Sequence, residues 1–223
     1  MNRDRTIVIE KTEDGSATLF VPELDEHYHS VKGARTESQH VFVEMGMKTC
    51  KEECVTVLEV GFGTGLNAYL TLLEAEKLGK NVCYVGLELY PVERDTLAAL
   101  NYAKDEYWEK IHSAKWGIPQ FITDDFILAK LNVDLLTYKP LDDMRFAVIY
   151  YDAFSPEKQP ELWTQAVFDR LYNVLFDDGV LTTYCAKGEV RRMLQQAGFT
   201  VERLPGPPGG KREILRATKS VNQ

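Results

Sequence analysis

Apolar and polar positions along this chain switch repeatedly between a period of two and a period near 3.6. Residues 6–9 and 17–21 are short β-like runs on either side of Glu13-Asp14-Gly15, and Asp-Gly between such runs predicts a hairpin. A charged, irregular stretch follows over 22–33, and 37–47 suits a helix. Residues 56–61 read as a buried strand, and 64–78 as a helix closed by Gly79. A second buried strand spans 81–88, and 91–103 reads as a helix with Pro91 in its first turn. A third strand is expected over 118–123, a helix over 126–136 and a fourth strand over 145–151. After a Pro-bearing loop at 155–160 come a helix at 161–175, a fifth strand at 179–185 and a helix at 188–196 stopped by Gly198. Residues 199–204 and 212–218 close the pattern as two strands joined by the turn-rich 205–210.

Strands alternating with helices imply an α/β fold, a mostly parallel sheet covered on both faces. Seven strands are expected in that Rossmann-like sheet, the last antiparallel because no helix separates it from its predecessor. Residues 1–50 read as a hairpin-and-helix extension of a core at 51–223, the whole forming a single domain over 1–223. Ligands of such sheets bind beyond the carboxyl ends of the strands, so the chemistry is expected just after strands one to four.

Composition narrows the class. The chain has 223 residues, 44% apolar and 27% charged, within the range of globular proteins. It has no apolar run of about 18 residues, the length a membrane-spanning helix needs. Its first ten residues are charged at the start and then only briefly apolar, too short a run for a signal-peptide core. A cytoplasmic protein with reduced thiols is therefore expected. Cys50 and Cys54 form a C-x3-C pair with no second pair to complete a zinc site, so no metal is expected. The net charge of −8 argues against indiscriminate nucleic-acid binding. From residue 187 onward, however, eight Lys/Arg face three acids, a balance of +5 against −13 for the first 186 residues. If they share a face, these cations form a phosphate-binding surface.

The first strand runs into Glu59-Val60-Gly61-Phe62-Gly63-Thr64-Gly65-Leu66-Asn67. Alternating glycines let the backbone turn tightly and approach a ligand, and the helix that follows presents free N–H groups. A dinucleotide fingerprint requires glycine where Leu66 stands, which disfavours a nicotinamide oxidoreductase. The loop resembles the first motif of S-adenosylmethionine-dependent methyltransferases, and Glu59, Gly61, Gly63, Thr64, Gly65 and Asn67 are its candidate cofactor contacts. The second strand ends at Glu88, a carboxylate placed to accept both ribose hydroxyls of an adenosine. The third ends in Thr123-Asp124-Asp125, and the resemblance implies that one of these acids, Asp125 ahead of Asp124, meets the adenine amine.

The fourth strand leads into Asp152-Ala153-Phe154-Ser155-Pro156-Glu157-Lys158-Gln159-Pro160-Glu161-Leu162-Trp163-Thr164. This stretch resembles the D-G-F-A/S-P-x-x-x-P-x-L/M-W motif of the methyltransferase domain of the MnmC family. Val60 to Asn67, Tyr28-His29-Ser30 with Gly33 and 37–43, 190–199 and Gly210-Lys211-Arg212-Glu213 resemble further elements of that domain. Ala153, Glu26 and His29 depart from the family pattern, and 107–117 is an insertion without a counterpart. The resemblance implies S-adenosyl-L-methionine as cofactor and tRNA, engaged at its anticodon region, as partner. It implies methylation of the aminomethyl group on the wobble uridine, position 34, with Asp152 facing the amine. It also implies Tyr28 and Glu37 closing the cofactor pocket, Tyr28, Phe154 and Trp163 as candidates to stack on the flipped base, and Pro156 near it. Lys187, Arg191, Arg192, Lys211 and Arg212 are then expected on stem phosphates. The bifunctional enzymes carry a second, FAD-dependent oxidase domain. This chain is expected to be a stand-alone form, with any oxidase on a separate chain. Aminopropyl transfer to a polyamine and methyl transfer to a protein or small-molecule amine remain alternatives, as does a non-catalytic cofactor-binding module.

Overall fold

The computed structural model describes residues 6–141 and 144–220. The charged opening at 1–5, on which the absence of a signal peptide partly rested, and the last three residues lie outside that range.

The N-terminal hairpin forms as its Asp-Gly turn predicts. Strands β1 (Val8–Lys11) and β2 (Ala17–Val21) pair antiparallel, Val8 opposite Phe20 and Lys11 opposite Ala17. A two-residue strand β3 (Glu26–His27) extends them to three strands. The helix expected over 37–47 is broken: α1 (Ala34–Ser38) passes into a wide π-type turn over Gln39–Glu44 and then a 3-10 turn at Met47–Thr49.

The main sheet is built from β4 (Cys54–Val60), β5 (Asn81–Leu87), β6 (Gln120–Thr123), β7 (Phe126–Leu131), β8 (Phe146–Tyr151), β9 (Leu175–Thr183), β10 (Thr200–Pro205) and β11 (Glu213–Thr218). Their spatial order is β10-β11-β9-β8-β4-β5-β7-β6. The five strands from β9 to β7 run parallel, and β11 is antiparallel to both of its neighbours, as the missing helix before it requires.

The sheet therefore has eight strands, not seven. The segment at 126–136, expected as a helix, supplies strand β7. It pairs parallel with β5, Val82 opposite Phe126, and antiparallel with β6, Phe121 opposite Ile127. Two complete ladders outweigh the helix propensity of its Leu, Ala and Lys residues. Asp124-Asp125 is consequently a hairpin turn.

Five helices follow the hydrophobic pattern less literally. Helix α2 (Leu66–Leu78) ends at Gly79 in the left-handed conformation. Helix α3 (Arg94–Ala98) is shorter than expected because the chain turns toward the N-terminal sheet. There Asn101 accepts the Ala17 N–H at 2.8 Å and donates to the Gly15 carbonyl at 2.9 Å. The insertion at 107–117 is mostly α4 (Glu106–Ser113), capped by Asp105 through the Trp108 N–H. Helices α5 (Gln165–Val174) and α6 (Gly188–Gln196) complete the set.

Side chains alternate across the sheet into two cores, as strands dictate. Val57, Tyr84, Val148 and Tyr150 pack with α2, α4, the hairpin residues Ala17 and Leu19, and Phe42 of the π-type turn. Leu58, Val60, Val85, Leu87, Ile149 and Tyr151 pack with α5 and α6. The N-terminal sheet thus shares the core of the α2 face. Among the described residues no helix is long and apolar enough to cross a membrane.

Candidate active site

Strand β4 lies between β5 and β8, so successive connections leave it in opposite directions. A crevice opens there at the carboxyl ends of the strands. The crevice is a cleft of about 860 Å³ lined by the glycine loop, Glu88 to Tyr90, Val133 to Leu135, Asp152 to Phe154, and Gln159.

The loop is held by its neighbours. Gly61 and Phe62 donate N–H bonds to the Leu87 carbonyl at 3.0 and 2.9 Å, and the Asp152 N–H donates to the Val60 carbonyl at 3.0 Å. Gly61 has φ +87, and a Cβ there would lie 2.5 Å from the Asp152 carbonyl oxygen. Only glycine lets the β4 and β8 loops press together. Gly63 lies under the Tyr28 ring, where a Cβ would approach to 3.1 Å. Gly65, also left-handed, starts α2.

Glu59 does not line the cleft. It is fully buried beneath the loop, accepting from Asn67 Nδ2 and from the Tyr84 hydroxyl, both at 2.8 Å. The expectation of a direct cofactor contact is corrected here, because an inward-facing β4 position leaves the carboxyl between α2 and β5. Burial pushes its pKa well above the usual carboxylate range. Asn67 Nδ2 also donates to Asp152 Oδ2 at 2.8 Å, so one amide ties the two carboxyls. Burial, with a smaller contribution from the charge of Glu37, pushes Asp152 up to about 8.

Glu88 sits at the lip of the cleft, accepting the N–H groups of Gly63 and Tyr90, each at 2.9 Å. Asp124 and Asp125 are at the wrong end of the sheet. The Asp125 carbonyl accepts the Val82 N–H at 2.8 Å, beside the start of β5. This correction follows from β7: the strand that reaches the cleft ends at Leu131, and the acid after it is Asp134, which lines the cleft. Recognising the Asp-Asp pair as a hairpin turn between two apolar runs was the signal that could have found Asp134.

A second compartment of about 620 Å³ adjoins the cleft and shares Tyr28, His29, Asp152, Ala153 and Phe154 with it. Tyr28 and Phe154 meet edge to face at the junction, centroids 5.2 Å apart. Glu37 belongs to this compartment rather than to the cofactor cleft. It is 6% exposed, accepting the Ser30 N–H at 2.7 Å and Lys211 Nζ at 2.8 Å. Lys211, whose side chain stays 42% exposed, is thereby held at the rim of the compartment, 4.1 Å from the centroid of the Tyr184 ring. Tyr184, which the sequence did not single out, lines the same space and donates to the Ala153 carbonyl at 2.9 Å.

Trp163 is a core residue, 5% exposed, against Tyr151, Phe168 and Tyr184. It cannot stack on a base, which corrects that expectation. Its Nε1 donates to the Phe154 carbonyl at 2.7 Å and so fixes the loop. Pro156, half-buried, lines neither compartment. Ser155 donates to Glu26 at 2.7 Å, tying the loop to β3. Lys187, at the start of α6, is ion-paired with Glu157; Arg191 is half-buried, and Arg192 and Arg212 are exposed. Among the described residues no group of three or more His, Cys, Asp or Glu could hold a metal.

The cleft suits S-adenosyl-L-methionine. The glycines leave the backbone bare, and among the described residues Asn67 Oδ1, which lines the cleft, is a buried polar atom without a hydrogen-bond partner. Glu88 and Asp134 add carboxylates for hydroxyl and amine groups.

Residues 107–220 match a family model described as S-adenosyl-L-methionine-dependent methyltransferase. The chain is 30% identical over 220 residues to the tRNA 5-methylaminomethyl-2-thiouridine biosynthesis bifunctional protein MnmC of Paraburkholderia phymatum, covering 90% of this chain and 33% of that protein. To the same-named protein of Pseudomonas entomophila it is 30% identical, covering 86% and 32%. The chain therefore spans about a third of the length of these relatives. The crystal structure of MNMC2 from Aquifex aeolicus superposes with a TM-score of 0.83 over 98% of this chain and 72% of that one, at 24% identity, and so shares its fold. Glycine loop, switch-point cleft, sheet order and sequence agree: the chain belongs to the S-adenosyl-L-methionine-dependent methyltransferase family.

Proposed function

We propose that this enzyme methylates the primary amine of an aminomethyl group on the wobble uridine, position 34, of tRNA, giving the methylaminomethyl base. The observation that carries this reading is Asp152, placed where the two compartments meet, with a pKa of about 8. The printed names of the MnmC relatives supply the substrate class.

Held by the glycine loop, Asn67, Glu88 and Asp134, the cofactor supplies an electrophilic methyl group. The acceptor's amine is the nucleophile, and the protein positions it and takes its proton. An alkylammonium with a pKa near that of lysine, about 10.4, must lose a proton before its lone pair can attack. An ordinary aspartate would take that proton at a cost of about 9 kcal/mol, whereas a carboxyl near 8 does so for about 3 kcal/mol. Asn67 aims the Asp152 carboxylate, and Tyr28 and Phe154 hold the acceptor in line, an orientation effect.

Residues 1–223 act in this reading as one methyltransferase domain in the cytoplasm, and a separate FAD-dependent oxidase chain would expose the amine by removing a carboxymethyl group. The test is transfer of label from S-adenosyl-L-methionine to tRNA from cells lacking wobble-uridine methylation. Label in a methylaminomethyluridine nucleoside, absent with Asp152→Asn, supports the proposal. Label only in added polyamines or small amines replaces it with the corresponding amine as acceptor.

A further inference from the structure

Lys211 belongs to a segment whose positive charge suggests phosphate contacts, yet the fold ties its partly exposed side chain to a buried partner. Its Nζ lies 2.8 Å from Glu37, a carboxylate only 6% exposed, and 4.1 Å from the centroid of the Tyr184 ring. Drawing it out to a phosphate would leave the Glu37 charge buried and unpaired, a penalty of several-fold the value of a surface contact. The compartment it lines also contains Glu26, Glu37 and Asp152. Three carboxyls against one ammonium repel a phosphate and tolerate a neutral ring carrying an ammonium. The walls are Tyr28, Phe154 and Tyr184, the faces and edges on which an extruded base stacks.

We infer that this second compartment seats the pyrimidine ring of the acceptor, and that Lys211, positioned by Glu37, donates a hydrogen bond to a ring carbonyl or thiocarbonyl while the aminomethyl arm reaches Asp152. The inference rests on the tRNA reading above. An ammonium has three N–H groups. Glu37 takes one, and the ring of Tyr184 lies against the cation, which leaves a donor for the base. Glu37 is a positioning residue here, since both of its oxygens are already engaged by Ser30 and Lys211.

The experiment measures methyl transfer to undermethylated tRNA at several salt concentrations for wild type, Lys211→Met and Lys211→Gln. A base contact raises KM about 10- to 100-fold in Lys211→Met at every salt concentration, leaves the salt slope of KM and the cofactor Kd unchanged, and is partly rescued by Gln, a neutral donor. A phosphate contact instead lowers the salt slope by about one unit with no rescue by Gln; that result, or an unchanged KM in folded Lys211→Met, overturns the inference. Thermal melts establish folding, and Lys211→Gln serves if the Met variant is unstable. Failure of the wild type to label tRNA at all sinks the underlying reading instead, so the two failures are distinct.

Discussion

Asp152, half-buried at the cleft, and Glu59, fully buried beneath it, are two carboxyls joined by one amide, and both have pKa values raised first of all by desolvation. The sign of the stability effect follows. In the unfolded chain an aspartate releases its proton near pH 3.9, while folded Asp152 holds it to about 8. Between those values the native state binds more protons, so this group's contribution is intact below about pH 4 and is lost as pH rises through 8. Asp152→Asn should therefore gain stability relative to wild type as pH rises from 5 to 8, read as a growing difference in Tm. The same variant should lose on the order of 10²- to 10⁴-fold in methyl transfer while still binding cofactor. In wild type kcat/KM should climb through about pH 8; a profile flat from 6 to 9 would remove Asp152 as proton acceptor. Gly61 makes the opposite trade. Gly61→Ala places a Cβ 2.5 Å from a backbone oxygen at φ +87, and should cost about 1–3 kcal/mol and weaken cofactor binding together. Equal Tm values for variant and wild type would show that the two loops separate more easily than their bonding implies.

Elements decide which acid lines the cleft. The runs of β4, β5 and β8 were legible because each is a mostly apolar stretch followed by glycine or an acid. The run of β7 was not. Its Leu, Ala and Lys satisfy a helical pattern, and only pairing with residues about 40 positions earlier, Val82 with Phe126, favours the strand. The error moved the acid that lines the cleft by one element. It yields a comparison by calorimetry: Asp134→Ala should raise the cofactor Kd about tenfold, near 1.4 kcal/mol, the scale of a lost hydrogen bond, while Asp125→Ala leaves it unchanged. The reverse pattern would require the β6–β7 hairpin to be misplaced. Trp163 teaches the same lesson at the loop after β8. The motif made it conspicuous, but whether an indole stacks on a ligand or on its own core depends on Tyr151 and Phe168. Trp163→Ala should cost about 3–5 kcal/mol through the cavity it leaves. Lys211 was equally illegible as a pocket residue, since its partner Glu37 lies 174 positions away.

At the scale of the molecule, the tRNA reading asks an acidic protein to hold an acidic polymer. Its net charge is −8, and the +5 balance after residue 186 overstates what remains for RNA. Five of those eight cations are already in ion pairs: Lys187 with Glu157, Arg203 with Glu213, Lys211 with Glu37, Arg216 with Glu202 and Lys219 with Asp177. Arg191, Arg192 and Arg212 have no acid within ion-pair distance among the described residues. Each phosphate neutralised contributes about −0.7 to −0.9 to the slope of log affinity against log salt. Three free arginines predict a slope of roughly −2 to −3, whereas eight cations on phosphates would give roughly −6 to −7. A shallow slope would mean that affinity comes largely from the flipped base in its compartment, with the arginines setting register. Filter binding of tRNA across salt concentrations distinguishes the two. Arg192→Ala and Arg212→Ala should each flatten the slope by about one contact, while Arg203→Ala, already engaged by Glu213, should leave it nearly unchanged. A wild-type slope near −6, with Arg203→Ala flattening it equally, would show that the ion pairs exchange their acids for phosphates, and that the surface reorganises when RNA docks.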